Sequence, residues 1–336
     1  FLPVKEKLMN KRLNLFGLLL LILPALVTAQ QKDTLIKKLD SASKKTDSVG
    51  AKQKNDINPE TYNENTKITP HVYLVLVADD IKQQVTSPFR ATSSDWLKIG
   101  GFGLLTTGCM LFLDKPVNRI AVNLRSSNAV ISTSHYVTNF GGLYEGYTLA
   151  TFAAVGYIFK REKTKTTTFL ATQAYITAGA IETALKFLTG RQRPSFYDPE
   201  NSPTWHGPFY QFQRDKNGNK PVNPAFTSFP SGHTTVAFAA ATVFAMEYKD
   251  TKFVPIVAYS AATLIGLSRL TENAHWFSDV IVGAALGYLC GRQVVNNYHR
   301  YSKIQSQLVA KKKNSISFNL NYIHGTLLPG LIYTFR

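Results

Sequence analysis

Apolar and polar segments alternate along most of this chain in a way that predicts helices. Six apolar stretches, broken by polar loops, lie at residues 97–113, 140–159, 168–189, 232–247, 253–268 and 276–295. Their lengths suit helices that either span a bilayer or pack together as a buried bundle. Small residues are dense within them and favour close helix packing in either setting. The pattern therefore predicts an all-α fold, a bundle of about six apolar helices over residues 96–296.

The amino-terminal segment has the pattern of a targeting sequence. A basic start at residues 9–12 precedes an apolar run at 15–26, which is short for a spanning helix, and residues 27–29 fit a cleavage site. We therefore expect residues 1–29 to be a signal peptide, with an uncleaved anchor as the alternative. Residues 30–70 have almost no apolar face and are predicted to be a flexible polar linker.

Two regions carry strand-like patterns. Residues 71–77 form a short apolar run, so we expect a short strand and a connector over residues 71–95. Near the carboxyl terminus, apolar and polar side chains alternate on both sides of a turn sequence at residues 324–325. This alternation predicts a small β-hairpin after a basic tail, within residues 297–336, and residues 71–77 are a candidate third strand.

The charge of the chain is strongly positive: 38 Lys and Arg against 21 Asp and Glu give a formal net charge of +17. Such a charge suits nucleic acid, a membrane surface or a phosphorylated substrate. The basic residues flank apolar helices rather than interleaving with aromatics on an exposed face, so nucleic acid is not an expected partner. The mean hydropathy of −0.09 is low for a polytopic membrane protein and keeps a soluble bundle open. Two cysteines exclude a disulfide scaffold and a Cys-rich zinc module.

Two clusters of polar residues lie at the ends of neighbouring apolar stretches. Lys186 and Arg193 come at the end of one stretch, and Pro194 ends the helix. The two cations are therefore expected close together at one helix end. The next stretch opens with Pro-Ser-Gly-His at residues 230–233. The N–H groups and the positive dipole end of such a helix start make an anion site that a phosphate fills well. His233 is placed to deliver a proton to a group bound there.

A third cluster combines Arg269, His275 and Asp279. Since His275 and Asp279 are four positions apart, we expect them on one helix face, with the carboxylate hydrogen-bonded to the imidazole. That bond would fix the tautomer and leave the other ring nitrogen free to attack. Asp279 lies in an otherwise apolar helix where an unpaired charge is costly, so it needs a partner, and His275 is the nearest candidate.

Other polar residues near these clusters are given no catalytic role. Arg191 lies outside the motifs and is interpreted as a solvated loop residue. Glu182 precedes Lys186 by one helical turn and is expected to pair with it. His206 and His324 lie in loops without metal-ligand spacing. Together, the cations, the anion-binding turn and the two histidines suit phosphoryl transfer without an obligatory metal or other cofactor.

The three clusters resemble the signature motifs of the type 2 phosphatidic acid phosphatase (PAP2) superfamily, which includes membrane lipid phosphatases, soluble bacterial acid phosphatases and vanadium haloperoxidases. In this sequence the motifs are Lys186-x6-Arg193-Pro194, Pro230-Ser231-Gly232-His233 and Ser268-Arg269-x5-His275-x3-Asp279. The resemblance covers roughly residues 96–296 and implies a helical phosphatase domain there.

The resemblance also implies a role for each motif residue. His275 would form a phosphohistidine intermediate and Asp279 would orient it, while His233 would protonate the leaving group and then assist the hydrolytic water. The phosphate oxygens would be held by Lys186, Arg193, Ser231, the amide of Gly232 and Arg269. The resemblance implies no metal in this site.

These features predict a PAP2-type phosphatase that hydrolyses phosphomonoesters or pyrophosphates of membrane lipids. Three alternatives stay open at this point. One is a soluble periplasmic acid phosphatase acting on small phosphoesters, another is a vanadium-dependent haloperoxidase, and the third is a protein that binds anionic lipid without turnover.

The basic loops predict where the site faces. Loops away from the motifs contain Lys160, Lys163 and Lys249, and the positive-inside rule keeps such loops in the cytoplasm. We therefore expect a bacterial cell-envelope protein, either in the inner membrane with its active site facing the periplasm or wholly periplasmic. Counting spans gives a conflict. If residue 30 lies outside the cytoplasm and each of the first three stretches crosses the membrane, Lys186 falls on the cytoplasmic side. Either residues 97–113 do not span, or the bundle does not cross as six helices.

Overall fold

The computed structural model describes residues 34–48, 59–197, 204–212, 224–313, 315–323 and 326–334, and the chain divides into two compact units, residues 1–53 and 54–336. The predicted signal peptide lies outside the described residues. In the first unit, helix α1 (Thr34–Ser48) falls within the predicted flexible linker, so that prediction is wrong there. Leu35, Leu39 and Ala42 recur at helical spacing, a pattern that the polar composition of the segment concealed.

The second unit is a helical bundle followed by a two-stranded sheet, which confirms the all-α prediction. Its long helices are α2 (Pro70–Thr86), α3 (Ser93–Gly108), α4 (Asp114–Leu124), α5 (Asn128–Phe140), α6 (Leu143–Ile158), α7 (Glu162–Thr189), α8 (Gly232–Glu247), α9 (Phe253–Thr271) and α10 (Phe277–Lys313). A π-helical turn at Cys109–Leu113 joins α3 to α4 without a break. Short 3-10 turns at Pro59–Tyr62 and Glu64–Thr66 precede α2.

Helix α2 occupies the region predicted to be a strand, so the strand and connector over residues 71–95 are a wrong prediction, and so is the third strand. The Thr69 hydroxyl accepts a hydrogen bond from the N–H of Val72 at 3.3 Å, and Pro70 occupies the first turn, which together make a strong helix start. Helix α2 packs against α7 and α10. The β-branched residues in this run favour a strand only weakly, and the cap and the packing override that preference.

Helix α8 forms the centre of the bundle and packs on α7, α9 and α10. It consists largely of Ala and Thr, and most of its residues are buried. Gly283, Gly287 and Gly291 of α10 face it at intervals of four residues, and a Cβ on Gly287 would collide with the carbonyl oxygen of Thr235. The missing side chains let the two backbones approach closely, which fixes the level at which the ends of α8 and α10 meet.

Two helical stretches of the described chain are long and apolar enough to cross a membrane, Ser93–Leu124 and Phe253–Thr271. The first includes the region 97–113 at which the span count was in conflict. Most of this stretch is exposed in the protein, and Leu97 and Leu104 are 79% and 77% accessible. By length and composition both stretches are candidate membrane helices.

The carboxyl-terminal hairpin is confirmed. Strands β1 (Ser315–Ile323) and β2 (Thr326–Thr334) pair antiparallel, with Ser315 opposite Thr334. The predicted turn at residues 324–325 lies outside the described residues. The segment before the hairpin is not a tail, because α10 continues to Lys313 with Tyr298 and Tyr301 buried against the bundle.

Replacing Gly287 by Ala is expected to lower the free energy of unfolding by about 1–3 kcal/mol, the usual cost of overpacking a well-packed contact. The added Cβ would collide with the Thr235 carbonyl oxygen and lie 2.9 Å from the backbone nitrogen of Ala239. Thermal unfolding of the purified variant measures the change. Gly103→Ala on α3 is the matched control, since no described atom lies within 4 Å of its added Cβ. Equal stability of the two variants would contradict the close approach of α8 and α10.

Candidate active site

The ends of four helices meet at one end of the bundle and bring the three predicted motifs together. The motif residues lie in the last turn of α7 (Lys186), the first turn of α8 (His233), the last turn of α9 (Arg269) and the loop before α10 (His275). Backbone hydrogen bonds join the loops between them. The N–H of Ser231 donates to the carbonyl of Asp279 at 3.1 Å, and the N–H of Ser228 donates to that of Arg191 at 3.0 Å.

The imidazole of His275 is held by a backbone carbonyl. Its Nδ1 lies 2.7 Å from the carbonyl oxygen of Ser228 and 3.8 Å from Oδ2 of Asp279. Because a carbonyl oxygen only accepts, Nδ1 carries the proton in this contact and Nε2 keeps its lone pair. The predicted hydrogen bond from His275 to Asp279 is therefore wrong. His275 precedes the first residue of α10, so the two side chains do not share a helix face.

The carboxylate of Asp279 is completely buried and has several donors. Its Oδ2 accepts from the hydroxyl of Ser228 at 2.6 Å and from the N–H of Trp276 at 2.9 Å, and its Oδ1 pairs with Nη1 of Arg191. Asp279 thus reaches His275 indirectly. It holds the side chain of Ser228, and the carbonyl of Ser228 holds the imidazole.

Arg191 is buried, with 2% of its surface exposed, so its interpretation as a solvated loop residue is wrong. Its Nη2 lies 2.6 Å from Oδ2 of Asp114, while Nη1 pairs with Asp279. The guanidinium carbon lies 4.7 Å from the ring centroid of Trp205 and 5.7 Å from that of Trp276. The sequence did contain one indication that Arg191 is a partner of Asp279. A buried carboxylate requires a cation, and a planar guanidinium, which can bond two carboxylates at once, suits that role better than an imidazole does.

The predicted pair of Glu182 and Lys186 is confirmed. This pair lies against the start of α8. A Cβ on Gly232 would collide with Oε1 of Glu182 and lie 3.1 Å from Nζ of Lys186. Glycine at this position therefore makes room for the ion pair beside the first turn of α8.

Two arginines bring further positive charge to the site. Nη2 of Arg193 donates to the hydroxyl of Thr227 at 3.1 Å, and Nη1 of Arg269 donates to that of Thr138 at 2.8 Å and pairs with Glu272. Within the described chain, the Nε atoms of both arginines are buried and have no acceptor. Burial and the neighbouring Arg269 lower the pKa of Arg193 to about 10, which leaves it charged at neutral pH.

The second histidine and its neighbours pack tightly. The side chain of His233 rests on the turn between α5 and α6, where a Cβ on Gly142 would lie 3.4 Å from its Nε2. This turn was not predicted as part of the site. Ser231 is the residue before α8, and its hydroxyl contacts that of Thr234 at 2.9 Å in a fully buried position. Its phosphate-binding role stays a prediction.

The electrostatic surroundings keep the His275 imidazole neutral. Burial lowers its pKa well below the usual value, and the charges of Arg193, Lys186 and Arg269 lower it further. The hydrogen bond to the Ser228 carbonyl acts in the opposite direction and is the weaker effect. A neutral imidazole with Nε2 unprotonated is the form that attacks an electrophile.

The long loop between α7 and α8 is described at residues 190–197, 204–212 and 224–231, where it contains three 3-10 turns. His206, which was assigned no role, stacks on Tyr210 at 4.4 Å between ring centroids and contacts the edge of Phe226. Among the residues that the structure describes, no group of three or more His, Cys, Asp or Glu side chains is arranged to hold a metal ion.

Residues 167–303 match the model of the PAP2 superfamily, which confirms the resemblance seen in the motifs. All the predicted site residues lie within this range, and Asp114 does not. The chain is 45% identical over 73 residues to a Porphyromonas gingivalis protein named lipid A 1-phosphatase, a match that covers 21% of this chain and 16% of that protein. It is 32% identical over 155 residues to lipid phosphate phosphatase 1 of Arabidopsis thaliana, covering 38% of this chain and 44% of that protein.

The chain therefore spans less than half the length of each of these curated relatives. Among solved structures, that of Aquifex aeolicus LpxE is similar over 54% of this chain and 94% of that chain, with 24% identity and a TM-score of 0.39.

The buried His275 is expected to make the protein less stable below about pH 6.5. An unfolded imidazole takes up a proton near that pH, whereas the folded one, whose pKa is lower, does not. The unfolded state then binds more protons, so the free energy of unfolding falls as pH decreases, by up to about 1.4 kcal/mol per pH unit for one group.

Thermal unfolding of wild type and His275→Asn between pH 7.5 and 5 measures this effect. The variant should show a smaller loss of stability on acidification, while His135→Asn on exposed α5 surface should behave like wild type. An unchanged pH dependence in His275→Asn would show that the imidazole is not held neutral.

Proposed function

We propose that this chain, which carries a PAP2-superfamily domain at residues 167–303, hydrolyses phosphomonoesters or pyrophosphates of membrane lipids. One observation carries the proposal. His275, with Nδ1 held by the Ser228 carbonyl and Nε2 unprotonated, lies in the field of three cations from different segments. A nucleophile surrounded by fixed positive charge is suited to attack a phosphorus whose oxygens carry negative charge.

The proposed reaction proceeds in two displacements. Lys186, Arg193 and Arg269 bind the phosphate oxygens together with the amide of Gly232 and the hydroxyl of Ser231. The lone pair of Nε2 of His275 forms a bond to phosphorus as the bond to the leaving oxygen breaks, and His233 gives that oxygen its proton. His233 then takes a proton from a water molecule, whose oxygen attacks phosphorus and releases inorganic phosphate from His275.

Asp279 supports the nucleophile without touching it. As a phosphoryl group bonds to Nε2, the imidazole gains positive charge and its Nδ1–H becomes a stronger donor to the Ser228 carbonyl. Asp279 holds Ser228 in place through the side-chain hydroxyl. In this proposal the orienting role implied for Asp279 acts through Ser228.

Lipid phosphates are the proposed substrates for two reasons. The names of the two curated relatives specify lipid A and lipid phosphate. The exposed apolar surface of Ser93–Leu124 and Phe253–Thr271 offers contact with acyl chains beside the site. Candidate substrates are phosphatidic acid, phosphatidylglycerol phosphate, undecaprenyl pyrophosphate and lipid A phosphate.

We also infer that the site faces away from the cytoplasm. Lys160 and Arg161 lie between α6 and α7, and Lys249 and Lys252 lie between α8 and α9. These turns are at the opposite helix ends from the candidate site, and the positive-inside rule places such turns in the cytoplasm. In a bacterium, that orientation would expose the site to the periplasm.

Purified wild-type protein is expected to release phosphate from at least one of these four lipids, and His275→Ala is expected to lose that activity by about 10³-fold or more. A phosphate-release assay with the four lipids and p-nitrophenyl phosphate measures both. The matched control is His135→Ala, an exposed histidine on α5, which should retain wild-type turnover.

The substrate panel separates the alternatives. Turnover of p-nitrophenyl phosphate but of no lipid would favour an acid phosphatase on small esters, and halide oxidation only with added vanadate would favour a haloperoxidase. Unchanged lipid turnover in His275→Ala would refute the phosphohistidine mechanism.

The protein is expected to stay with the membrane fraction after washing with high salt or alkaline carbonate, because the exposed apolar surface of Ser93–Leu124 is suited to contact with lipid. Immunodetection in the pellet and the supernatant measures the distribution. A soluble periplasmic protein and an integral membrane protein in the same fractions are the controls. Release into the supernatant would instead support a periplasmic bundle.

A further inference from the structure

We propose that Asp114 and Arg191 are positioning residues for the nucleophile, which they hold in place through Asp279 and Ser228. This inference rests on the proposed phosphatase function. It concerns a carboxylate at the start of α4, outside the range that matches the family model, and an arginine at one of the unspecified positions between Lys186 and Arg193 of the first motif.

Asp114 is the first residue of α4 and directly follows the π-helical turn. Its carboxylate is 3% exposed and contacts the start of α10 at two points. Oδ1 accepts from the N–H of Ser278 at 2.8 Å, and Oδ2 accepts from the Ser278 hydroxyl at 2.7 Å. Although Asp114 belongs to α4, its carboxylate therefore sits at the start of α10. A carboxylate in that place satisfies free N–H groups of the helix and is stabilised by the helix dipole. Asp114 therefore anchors the helix that carries Asp279.

Arg191 connects the two carboxylates. Nη2 bonds to Asp114 at 2.6 Å, and Nη1 bonds to Asp279 and, at 2.7 Å, to the Ser278 hydroxyl. Trp205 and Trp276 lie over the guanidinium, so it has little freedom to rotate. With a planar cation fixed at both ends, the Asp279 carboxylate has one orientation.

Four contacts carry this arrangement to the nucleophile. Asp114 bonds Arg191, Arg191 bonds Asp279, Asp279 accepts from the Ser228 hydroxyl, and the Ser228 carbonyl accepts from Nδ1 of His275. A second path runs through the backbone, since the N–H of Ser228 donates to the carbonyl of Arg191. Both paths reach Ser228, whose carbonyl holds the His275 imidazole.

The chain of contacts does not include the cations proposed to bind phosphate. Lys186 pairs with Glu182, Arg193 donates to Thr227, and Arg269 bonds Thr138 and Glu272. A substitution that disrupts the ion pair of Asp114 and Arg191 should therefore misplace His275 without weakening phosphate binding. In kinetic terms, kcat falls while KM stays the same.

The test uses Asp114→Asn and Arg191→Lys in the full chain, with phosphatidic acid or the lipid turned over fastest by wild type. The Asp114→Asn variant would keep an acceptor for Ser278 but present a neutral amide to Arg191. The Arg191→Lys variant keeps the positive charge but loses the planar guanidinium that bonds both carboxylates. Both variants should lose kcat on the order of 10²-fold, with KM and inhibition by inorganic phosphate changed less than about 2-fold. The rate of alkali-stable phosphohistidine formation in a single turnover should fall by the same factor as kcat.

Asp95→Asn is the matched control, a half-exposed carboxylate at the start of the same helical stretch, and should keep wild-type kinetics. Thermal unfolding identifies any variant that does not fold, and in that case the remaining variant decides. Wild-type kcat in a folded variant, or a rise in KM as large as the fall in kcat, would overturn the positioning role. If wild type and Asp95→Asn release phosphate from no lipid, the proposed function itself fails.

Discussion

The fully buried charge of Asp279 requires compensation within the protein, and that requirement ties three segments of chain together. Its donors are Arg191 from the loop after α7, Ser228 from the loop before α8, and Trp276 just before α10. A buried carboxylate that loses a partner costs several kcal/mol, so these segments are held at a fixed distance from one another. His275 directly precedes Trp276, and His233 follows the Ser228 segment at the start of α8, so the positions of both histidines follow from satisfying one charge.

The positive charges of the site are unequally balanced. Lys186 and Arg269 each pair with a carboxylate of a neighbouring turn, Glu182 and Glu272, which reduces the mutual repulsion between the cations. The Nε donors of Arg193 and Arg269 still lack acceptors within the described chain. The cluster is therefore stable enough to form and retains hydrogen-bonding capacity, which is the condition for a preorganised anion site.

Much of this site was predictable because its residues lie at helix ends, and proline, glycine and abrupt changes in polarity mark helix ends in a sequence. The convergence of Lys186, His233 and His275 followed from that pattern. The partner of Asp279 did not, because the helix begins after His275 and the four-residue spacing loses its meaning outside a helix. Nor does any local pattern relate Asp114 to Arg191, which are 77 positions apart and meet only through packing. Helix α2 was missed because its capping residue outweighs its β-branched composition.

The position of Asp114 limits how far this fold can be treated as modular. The carboxylate stands at the junction of an apolar, exposed helical stretch and the buried start of α10. A fragment restricted to residues 167–303, or a chimera that grafts that range onto another protein, would carry every motif residue and still leave Arg191 facing an empty acceptor position. If Asp114 positions the nucleophile as proposed, the segment before the matched range can change at its exposed apolar positions but not at this carboxylate.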